Sequence, residues 1–259
     1  MKKSIFLVIL KIVMMFLWIG SCDLPHRPGP MPEDIIDTEF EPGLNVFGVL
    51  RADNSPGTSF IHVERAVTTK EMYENEEIFI TSAFVQISDT ITSQMTIFSS
   101  SPDTIEKGYY FNSAFSPQPG HHYELEIAAG DLPVLKGETT VPVKPAIVLQ
   151  SLSITDQKVR FDLVLTTDTY QYNVYLFFGD DYLEKQLPNH QTGSKKVKFN
   201  LADKSSSPTG IVIIGYDKNL TEYLNSSPSF LPQVFHETVR TVEDGYGCFG
   251  SLSVTLIQL

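Results

Sequence analysis

Apolar and polar residues alternate in many separate stretches of this chain, from residue 44 almost to its end. His122-Tyr123-Glu124-Leu125-Glu126-Ile127 shows the alternation most clearly, and this is the period of a half-buried β-strand. Gly, Pro, Asp and Asn lie between the stretches, as turns require. Residues 44–142 contain no convincing helical period. The pattern therefore predicts an all-β chain built as a sandwich or Greek-key barrel.

The expected strands fall into two groups on either side of a proline-bounded joint, Val141-Pro142-Val143-Lys144-Pro145. The joint predicts two β-sandwich-like domains, one over 44–142 and one over 146–259. Strands of the first are expected at 44–50, 60–65, 83–88, 94–98, 109–111, 122–127 and 137–142. Strands of the second are expected at 148–154, 159–165, 172–178, 196–201, 210–215 and 252–256.

Two segments of the second predicted domain depart from simple alternation. Ile211-Val212-Ile213-Ile214 is a continuous apolar run, which predicts a strand buried on both faces. The segment after it predicts the one short helix of the chain. Asp217 is the expected N-cap, and Leu220 and Leu224 are expected to share one face.

The N-terminal residues predict export and lipid attachment. A basic start and an apolar stretch that ends in small residues are typical of a secretory signal peptide, here residues 1–21. Lys11 interrupts the apolar stretch, which disfavours a permanent membrane span. Ile19–Cys22 resembles a lipobox, the motif in which lipoprotein signal peptidase cuts once the cysteine thiol carries diacylglycerol. The alternative is an ordinary secretory signal with a chance cysteine.

Residues 22–43 predict a tether between the lipid and the folded part. Their five prolines disfavour regular helix and central strand and favour a semi-extended chain. Acyl chains on Cys22 would hold the protein at a membrane. We expect the cell envelope and, within it, the outer membrane, although Asp23 after the cysteine resembles an inner-membrane retention signal of enteric bacteria.

The charge balance excludes one class of partner. The chain has 19 Lys and Arg against 31 Asp and Glu. Cleavage before Cys22 removes three lysines and no acid, so the net charge falls from −12 to −15. Nucleic acid binding needs lysine and arginine to neutralise phosphates, so nucleic acid is not an expected partner.

Cys248 is the second of the two cysteines. With Cys22 lipidated, the chain has neither an internal disulfide nor the four cysteines of a structural zinc site. A lone exported cysteine is either a reactive thiol or a small buried apolar residue. No histidine is adjacent in sequence, which favours the buried residue.

Four features together resemble a large family of Bacteroidota lipoproteins known as domain of unknown function 4249. They are the lipobox at Cys22, the early strand over 44–50, a middle block over 83–142, and the motif Gly245-Tyr246-Gly247-Cys248-Phe249-Gly250-Ser251. The resemblance implies a cell-envelope β-protein, often from organisms that import polymers through outer-membrane receptors, with no established activity or functional residues. The first domain is also similar in pattern to transthyretin-like or carboxypeptidase-regulatory sandwiches, and the second to fibronectin-like ones.

Two groups of residues invite a metal interpretation. His121 and His122 are adjacent, but neighbours on a strand point to opposite faces and cannot easily hold one ion. Asp180-Asp181 with Asp162 or Glu184 offers oxygen ligands for calcium, yet no Asp-x-Asp-x-Asp-Gly loop is present, so a solvated turn is favoured. We therefore expect no metal site and no cofactor.

Catalytic candidates are weaker still. Asp217 with Glu222, or Glu237 with Glu243 and Asp244, would be the carboxylate pair of a glycosidase, but any acidic chain offers such pairs. The chain has no Gly-x-Ser-x-Gly elbow, no P-loop, no dinucleotide-binding glycine motif and no His-Glu-x-x-His. We expect no catalytic residue; a hydrolase with an unrecognised carboxylate or Ser/His site is the alternative.

Aromatic clusters are the remaining candidates for binding. Tyr109-Tyr110-Phe111 and Tyr170-Gln171-Tyr172 with Tyr175 are two candidate stacking platforms for a sugar or peptide, although core and edge packing is the favoured interpretation. The region from Phe235 to Phe249 is the third cluster, for which a structural role is also favoured. The candidate partner surface comprises Tyr109, Tyr110, Phe235, Tyr246 and Phe249.

The sequence favours a lipid-anchored accessory or binding module. Its expected partners are the membrane, through Cys22, and either another envelope protein or a polymer of an outer-membrane import or assembly system. The glycines around Tyr246 and Phe249 indicate a backbone that turns tightly or packs closely against something, which leaves a structural role for this motif open. A purely structural envelope component is the second interpretation, and the hydrolase is the third.

Overall fold

A computed structural model describes residues 41–68, 71, 77–103, 105–189, 191–202, 204, 206–226 and 239–259. The predicted signal peptide, nearly all of the predicted tether and Phe235 lie outside these residues. Pro42–Leu259 forms one compact unit. Its described part contains fifteen β-strands and one α-helix, which confirms the all-β fold class with one short helix.

The strands are short, closely spaced and mostly where alternation predicts them. Those before the proline joint are β1 Leu44–Ala52, β2 Phe60–Arg65, β3 Phe84–Asp89, β4 Gln94–Ser100, β5 Tyr109–Phe111, β6 His122–Ala128 and β7 Leu135–Thr140. Those after it are β8 Ser153–Thr155, β9 Lys158–Leu165, β10 Gln171–Phe178, β11 Asp181–Pro188, β12 Gly193–Asn200, β13 Gly210–Tyr216, β14 Val242–Glu243 and β15 Gly245–Gln258, with helix α1 Lys218–Asn225 between β13 and β14.

Twelve strands form one continuous sheet in the order β11-β10-β13-β15-β1-β2-β5-β4-β3-β6-β7-β14. The part β15-β1-β2-β5 faces the part β4-β3-β6-β7-β14, because inward side chains of both share one buried cluster. Together they make the first sandwich. The members of this cluster at the sheet centres include Leu44, Leu50, Ile61, Val85, Ile87, Phe98, Leu125, Ile127 and Phe249.

A second sandwich lies at the other end of the large sheet. The separate three-stranded sheet β12-β9-β8 covers β10, β11 and β13. Its buried cluster includes Phe161, Leu163, Tyr172, Leu176, Phe199, Ile211 and Ile213.

Strand β15 belongs to both sandwiches. Its first part pairs in parallel with β1, from Leu44 opposite Gly245 to Ala52 opposite Ser253. Its last part pairs antiparallel with β13, from Tyr216 opposite Leu252 to Gly210 opposite Gln258. Its 14 residues span about 46 Å at the usual rise per residue. One strand thus stabilises the two ends of the molecule together.

Because β15 belongs to both sandwiches, the predicted boundary does not fully separate them. Most residues of the first buried cluster come before the joint at 142–146, and those of the second come after it. However, β14 and β15 come from the C-terminal predicted domain and contribute Val242 and Phe249 to the first cluster. The limits 44–142 and 146–259 stay a prediction, and residues 242–253 pack with the first sandwich.

Close backbone packing explains the glycines of the C-terminal motif. Gly247 has φ +97°, and a Cβ there would lie 2.0 Å from the carbonyl oxygen of Val46 on β1. A Cβ at Gly250 would lie 2.8 Å from Cβ of Leu220 in helix α1. The motif is therefore structural: it lets β1 and α1 approach β15 from two sides.

One predicted strand is much shorter than expected, and strand β11 was missed. The strand expected at 148–154 is reduced to β8, because Gln150 has φ +65° and Ser151 donates to the carbonyl of Val148 in a turn. Strand β11 was not predicted, since Asp180-Asp181 suggested a solvated turn. The turn ends at Asp180, after Gly179 with φ +67°, and Asp181 already begins the strand.

Helix α1 is confirmed, with one error in its packing. Asp217 is the N-cap, and one of its carboxylate oxygens accepts from the backbone N–H of Leu220 at 2.8 Å. Leu220 is buried, but Leu224 is 52 % exposed and does not share its environment.

The burial predicted for both faces of β13 is also wrong: Ile211 is fully buried, whereas Val212 on the other face is only half-buried.

Candidate functional site

Five aromatic rings lie on the outward face of three adjacent strands of the first sandwich. They are Phe47 of β1, Phe60 and His62 of β2, and Tyr109 and Phe111 of β5. We call this set the aromatic face. None of the five is fully buried, and Tyr109 and Phe111 are each 36 % exposed.

Strand register brings these rings together. Phe47 lies opposite His62, and His62 lies opposite Tyr109, so the three are aligned across the sheet. Phe60 lies opposite Phe111 in the next outward position. Their neighbours in sequence point into the core, because successive strand residues alternate between faces. Two aligned rows of outward rings result.

The rings contact one another across the strands. The ring centroids of His62 and Tyr109 are 4.3 Å apart. Those of Phe60 and Tyr109 are 5.7 Å apart, and those of Phe47 and Phe60 are 5.9 Å apart. Tilted pairs at such distances are favourable, so the rings support each other as a semi-rigid surface.

Helix α1 closes one end of the aromatic face. Gly250 on β15 allows Leu220 to pack against Cys248 and Val49 on the same outward side. Tyr223, one turn further along the helix, then reaches Phe47 with a centroid distance of 5.5 Å. The aromatic surface therefore continues from the helix across β1, β2 and β5.

Polar side chains border the aromatic face at the next outward positions. The amide of Asn45 donates to the carboxylate of Glu64 at 3.2 Å. The other carboxylate oxygen of Glu64 lies 3.8 Å from Nδ1 of His62. This border offers hydrogen-bonding groups and a negative charge beside the rings.

Of the predicted partner residues, the structure places some on the surface and others in the core. Tyr109 lies on the aromatic face. Tyr110 is 1 % exposed; its hydroxyl donates to the carbonyl of Ile80 and accepts from the N–H of Ala83, so it is a core residue. Phe249 is fully buried in the first sandwich and is likewise no part of a surface.

The remaining predicted aromatics lie elsewhere. Tyr246 is half-buried with its ring beside Gly43, and Phe235 lies outside the described residues. Tyr172 is buried in the second sandwich, where its hydroxyl accepts from the N–H of Thr166.

Sequence reasoning missed Phe47, Phe60 and His62. Alternation within β1 and β2 was visible, but only the strand register shows that these rings meet those of β5.

A polar cleft of about 850 Å³ lies on the opposite sheet of the first sandwich. Its floor consists of outward residues of β6 and β7, with Glu124 opposite Glu138 and Glu126 opposite Lys136. Asp168 and residues of α1 contribute to its walls. The carboxylates outnumber the cations on this floor, so the cleft disfavours anionic ligands.

Asp217 lies at the inner end of this cleft and is 4 % exposed. Its second carboxylate oxygen accepts from the hydroxyl of Thr139 at 2.5 Å. The Thr139 hydroxyl also lies 2.8 Å from that of Ser251 on β15. Burial raises the pKa of Asp217 to about 6, although its hydrogen bonds act in the opposite direction. Both oxygens are occupied by bonds that join α1, β7 and β15.

This pKa predicts a pH-dependent contribution to stability. The folded protein holds the Asp217 proton more tightly than the unfolded chain, whose pKa is near 3.8. The stabilising contribution is therefore complete below about pH 4 and is lost as the pH rises through about 6, a change of about 3 kcal/mol. Asp217→Asn keeps a capping side chain and removes the titration.

Urea denaturation at about pH 4 and about pH 7 measures this effect. The free energy of unfolding of the parent protein, relative to that of Asp217→Asn, is expected to fall between the two pH values. An identical pH dependence in the two proteins would contradict the raised pKa.

The other residues considered for chemistry are held in structural roles. Cys248 is fully buried, and burial raises the pKa of its thiol to about 12, so it is not poised as a thiolate. His121 bonds Asp89 at 2.8 Å, whereas His122 bonds Thr140 at 3.0 Å. Within the described ranges, no group of three or more His, Cys, Asp or Glu side chains is placed to hold a metal ion.

The residues weighed as calcium ligands do not meet. Asp181 pairs with Lys204, and Glu184 accepts from Asn173 and Tyr175. Asp162 is on β9 in the other sheet of the second sandwich. In the described part of the chain, no helix is long and apolar enough to cross a membrane.

The chain is thus a β-protein of two sandwiches joined by a shared C-terminal strand. The family model described as domain of unknown function (DUF4249) matches residues 30–209, and the chain belongs to that family. No curated protein matches it.

Solved structures show only distant similarity. The FN1–FN3 domains of chicken CNTN1 share 14 % identity, with a TM-score of 0.31 over 70 % of this chain and 61 % of that one. The chicken interferon gamma receptor alpha chain shares 7 %, with a TM-score of 0.23 over 68 % of this chain and 87 % of that one. Dpr11 IG1 bound to DIP-gamma IG+IG2 shares 8 %, with a TM-score of 0.24 over 83 % and 98 %.

Proposed function

We propose that this protein is a non-enzymatic binding module of the cell envelope, held by lipid on Cys22, whose ligand lies against the aromatic face. The observation that carries the proposal is the two aligned rows of partly exposed rings across β1, β2 and β5. Aromatic side chains with an exposed apolar face are enriched where proteins meet partners. Rings on paired strands also lose little conformational freedom on binding.

The proposed anchor fits the position of this module in the chain. The tether over 22–43 leads directly into β1, the strand that carries Phe47. A proline-rich chain of this length reaches roughly 65 Å when extended. The module would therefore search a layer around the outer membrane, as an accessory protein of an import or assembly system requires.

The chemistry of the face favours a neutral polymer. Sugar rings present apolar C–H faces that stack on aromatic rings, and their hydroxyls need hydrogen-bonding groups such as Asn45 and His62 nearby. Glu64 places a negative charge at the border, which disfavours anionic polymers. A neutral polysaccharide satisfies these conditions. An envelope protein with an apolar patch is the alternative partner for the same face.

Affinity electrophoresis through gels that contain neutral polysaccharides tests this proposal. The variants Phe47→Ala and Tyr109→Ala each remove one ring from the row that Phe47, His62 and Tyr109 form across the sheet. We expect each to weaken retardation by at least about tenfold in affinity, the usual effect of losing an important aromatic contact.

Phe84→Ala is the matched control, because Phe84 is a 46 % exposed phenylalanine on β3 of the opposite sheet. It should bind like the parent protein. If no polysaccharide retards the parent, but cross-linking in intact cells captures one envelope protein that both face variants lose, the partner is a protein. Equal behaviour of all variants in both experiments would refute the aromatic face.

A hydrolase is the second candidate, and one observation favours it. Asp217 has a raised pKa and borders the polar cleft, as a general acid would. Against this, both of its oxygens are engaged by Thr139 and Leu220. Polysaccharide hydrolysis by the parent protein that Asp217→Asn abolishes, with binding retained, would favour the hydrolase over the binding module.

A further inference from the structure

The outer face of the small sheet in the second sandwich carries a concentrated positive charge. Val197 and Phe199 of β12 point into the core, so Lys196 and Lys198 point outward. The same alternation on β9 turns Lys158 and Arg160 outward. We call these four cations the basic face. It is unexpected in a chain with a net charge of −12.

Acids in the described part of the protein balance only part of the charge of the basic face. Arg160 lies directly opposite Lys198, and Lys158 lies opposite Asn200. Asp162, opposite Lys196, is the one acid among the eight outward positions of the two strands. None of the four cations is in a salt bridge with a described residue. Like charges opposite each other destabilise a sheet, and an anionic partner would relieve this repulsion.

An exposed apolar side chain lies in a turn that is bonded to β9. Leu149 is 91 % exposed in the turn before β8. The N–H of Val148 donates to the carbonyl of Asp162, and the N–H of Asp162 donates to the hydroxyl of Ser151. The turn that carries Leu149 is thereby fixed to β9, the strand of Lys158 and Arg160.

We propose that the basic face, with Leu149, docks on an anionic lipid bilayer. Lysine and arginine are attracted to anionic headgroups, and a neighbouring apolar side chain can enter the boundary beneath them. Cations together with a protruding leucine fit a bilayer surface better than an acidic protein, which would leave Leu149 in water. This docking rests on the proposed lipid anchor, which keeps the face within reach of a membrane.

Docking would orient the molecule. The aromatic face belongs to the first sandwich, whereas the basic face covers the second. A second sandwich held on the bilayer would let the aromatic face meet its ligand at the membrane surface instead of at the end of a free tether.

A fluorescent reporter on Leu149→Cys tests the proposal in the full lipidated protein. Cys22 carries lipid and Cys248 is buried, so an environment-sensitive thiol dye should label the new cysteine. Vesicles are made of phosphatidylcholine alone or with about one third phosphatidylglycerol. We expect the emission to shift to shorter wavelength with the anionic vesicles only, and the shift to disappear at high salt.

The double variant Lys196→Gln, Lys198→Gln should lower the ratio of docked to undocked protein by about fivefold per lysine. Lys136→Gln with Lys218→Gln is the control, since it makes the same change in net charge away from the basic face. An emission that does not differ between the vesicles, or an equal loss in both double variants, would overturn the proposal. A response to soluble polygalacturonate but not to vesicles would overturn it in favour of an anionic polymer.

A separate measurement tests the lipid anchor. Co-sedimentation of the lipidated protein with phosphatidylcholine vesicles reports the lipid on Cys22, whatever the dye shows. Failure of sedimentation with a preserved, lysine-dependent shift on anionic vesicles would refute the anchor and keep the docking. Sedimentation without a shift would refute the docking and keep the anchor.

Discussion

Gly247→Ala is expected to leave little folded protein at physiological temperature. The alanine Cβ would lie 2.0 Å from the carbonyl oxygen of Val46, well inside van der Waals contact, and φ +97° is a conformation that alanine rarely adopts. Strands β1 and β15 must then separate at the point where their pairing stabilises the first sandwich. We expect a loss of at least about 4 kcal/mol, a large part of the stability of a typical domain.

Thermal unfolding followed by circular dichroism measures this loss as a fall of roughly 10 °C or more in Tm. Gly179→Ala is the control, because Gly179 also has positive φ, at +67°, but a Cβ there would meet nothing within 4 Å. It should cost only about 1 kcal/mol, the usual penalty of the left-handed conformation. Equal effects of the two substitutions would contradict the close approach of β1 to Gly247.

Cys22→Ser is expected to abolish lipid attachment completely. Serine has no thiol to join to diacylglycerol, and the lipobox peptidase acts on the modified cysteine. The protein should therefore accumulate uncut, and it would lack the acyl chains, of which each methylene contributes about 0.8 kcal/mol to membrane binding. Metabolic labelling with radioactive palmitate and mass spectrometry of the N-terminus measure the loss.

Cys248→Ser provides the comparison within the same chain. Cys248 is fully buried, so its replacement should leave palmitate incorporation unchanged. Acylation of the Cys22→Ser variant at the level of the parent protein would refute the anchor. Loss of label in both variants would point to a general failure of export instead.

The candidate site shows how far sequence patterns reach. The aromatic run 109–111 predicted β5, and Tyr109 and Tyr110 were both candidate partner residues. The structure turns Tyr109 outward and Tyr110 into the core. A three-residue strand of three aromatics gives no sign of which face is inward, because every position is apolar. That choice depends on the neighbouring strands β2 and β4.

The C-terminal motif shows a second limit of local sequence patterns. Its glycines indicated either tight turns or close packing, and both were consistent with the local sequence. Residues 245–258 instead form one extended strand. Only the parallel pairing with β1 and the contact with helix α1 explain the absence of a side chain at Gly247 and Gly250.

The sequence by itself determined the all-β class, most strand positions and the helix capped by Asp217, because alternation, turn residues and caps act over a few neighbouring residues. Only the tertiary structure decided that β15 joins both sandwiches and that Phe47, Phe60, His62, Tyr109 and Phe111 share one face. The first outcome depends on pairing between residues about 200 positions apart, and the second on pairing of Phe47 with His62 and of His62 with Tyr109. A period of two contains no register for either pairing. Burial selects the register of β15 instead: Phe249 lies in the first core, and Ile257 packs against the second.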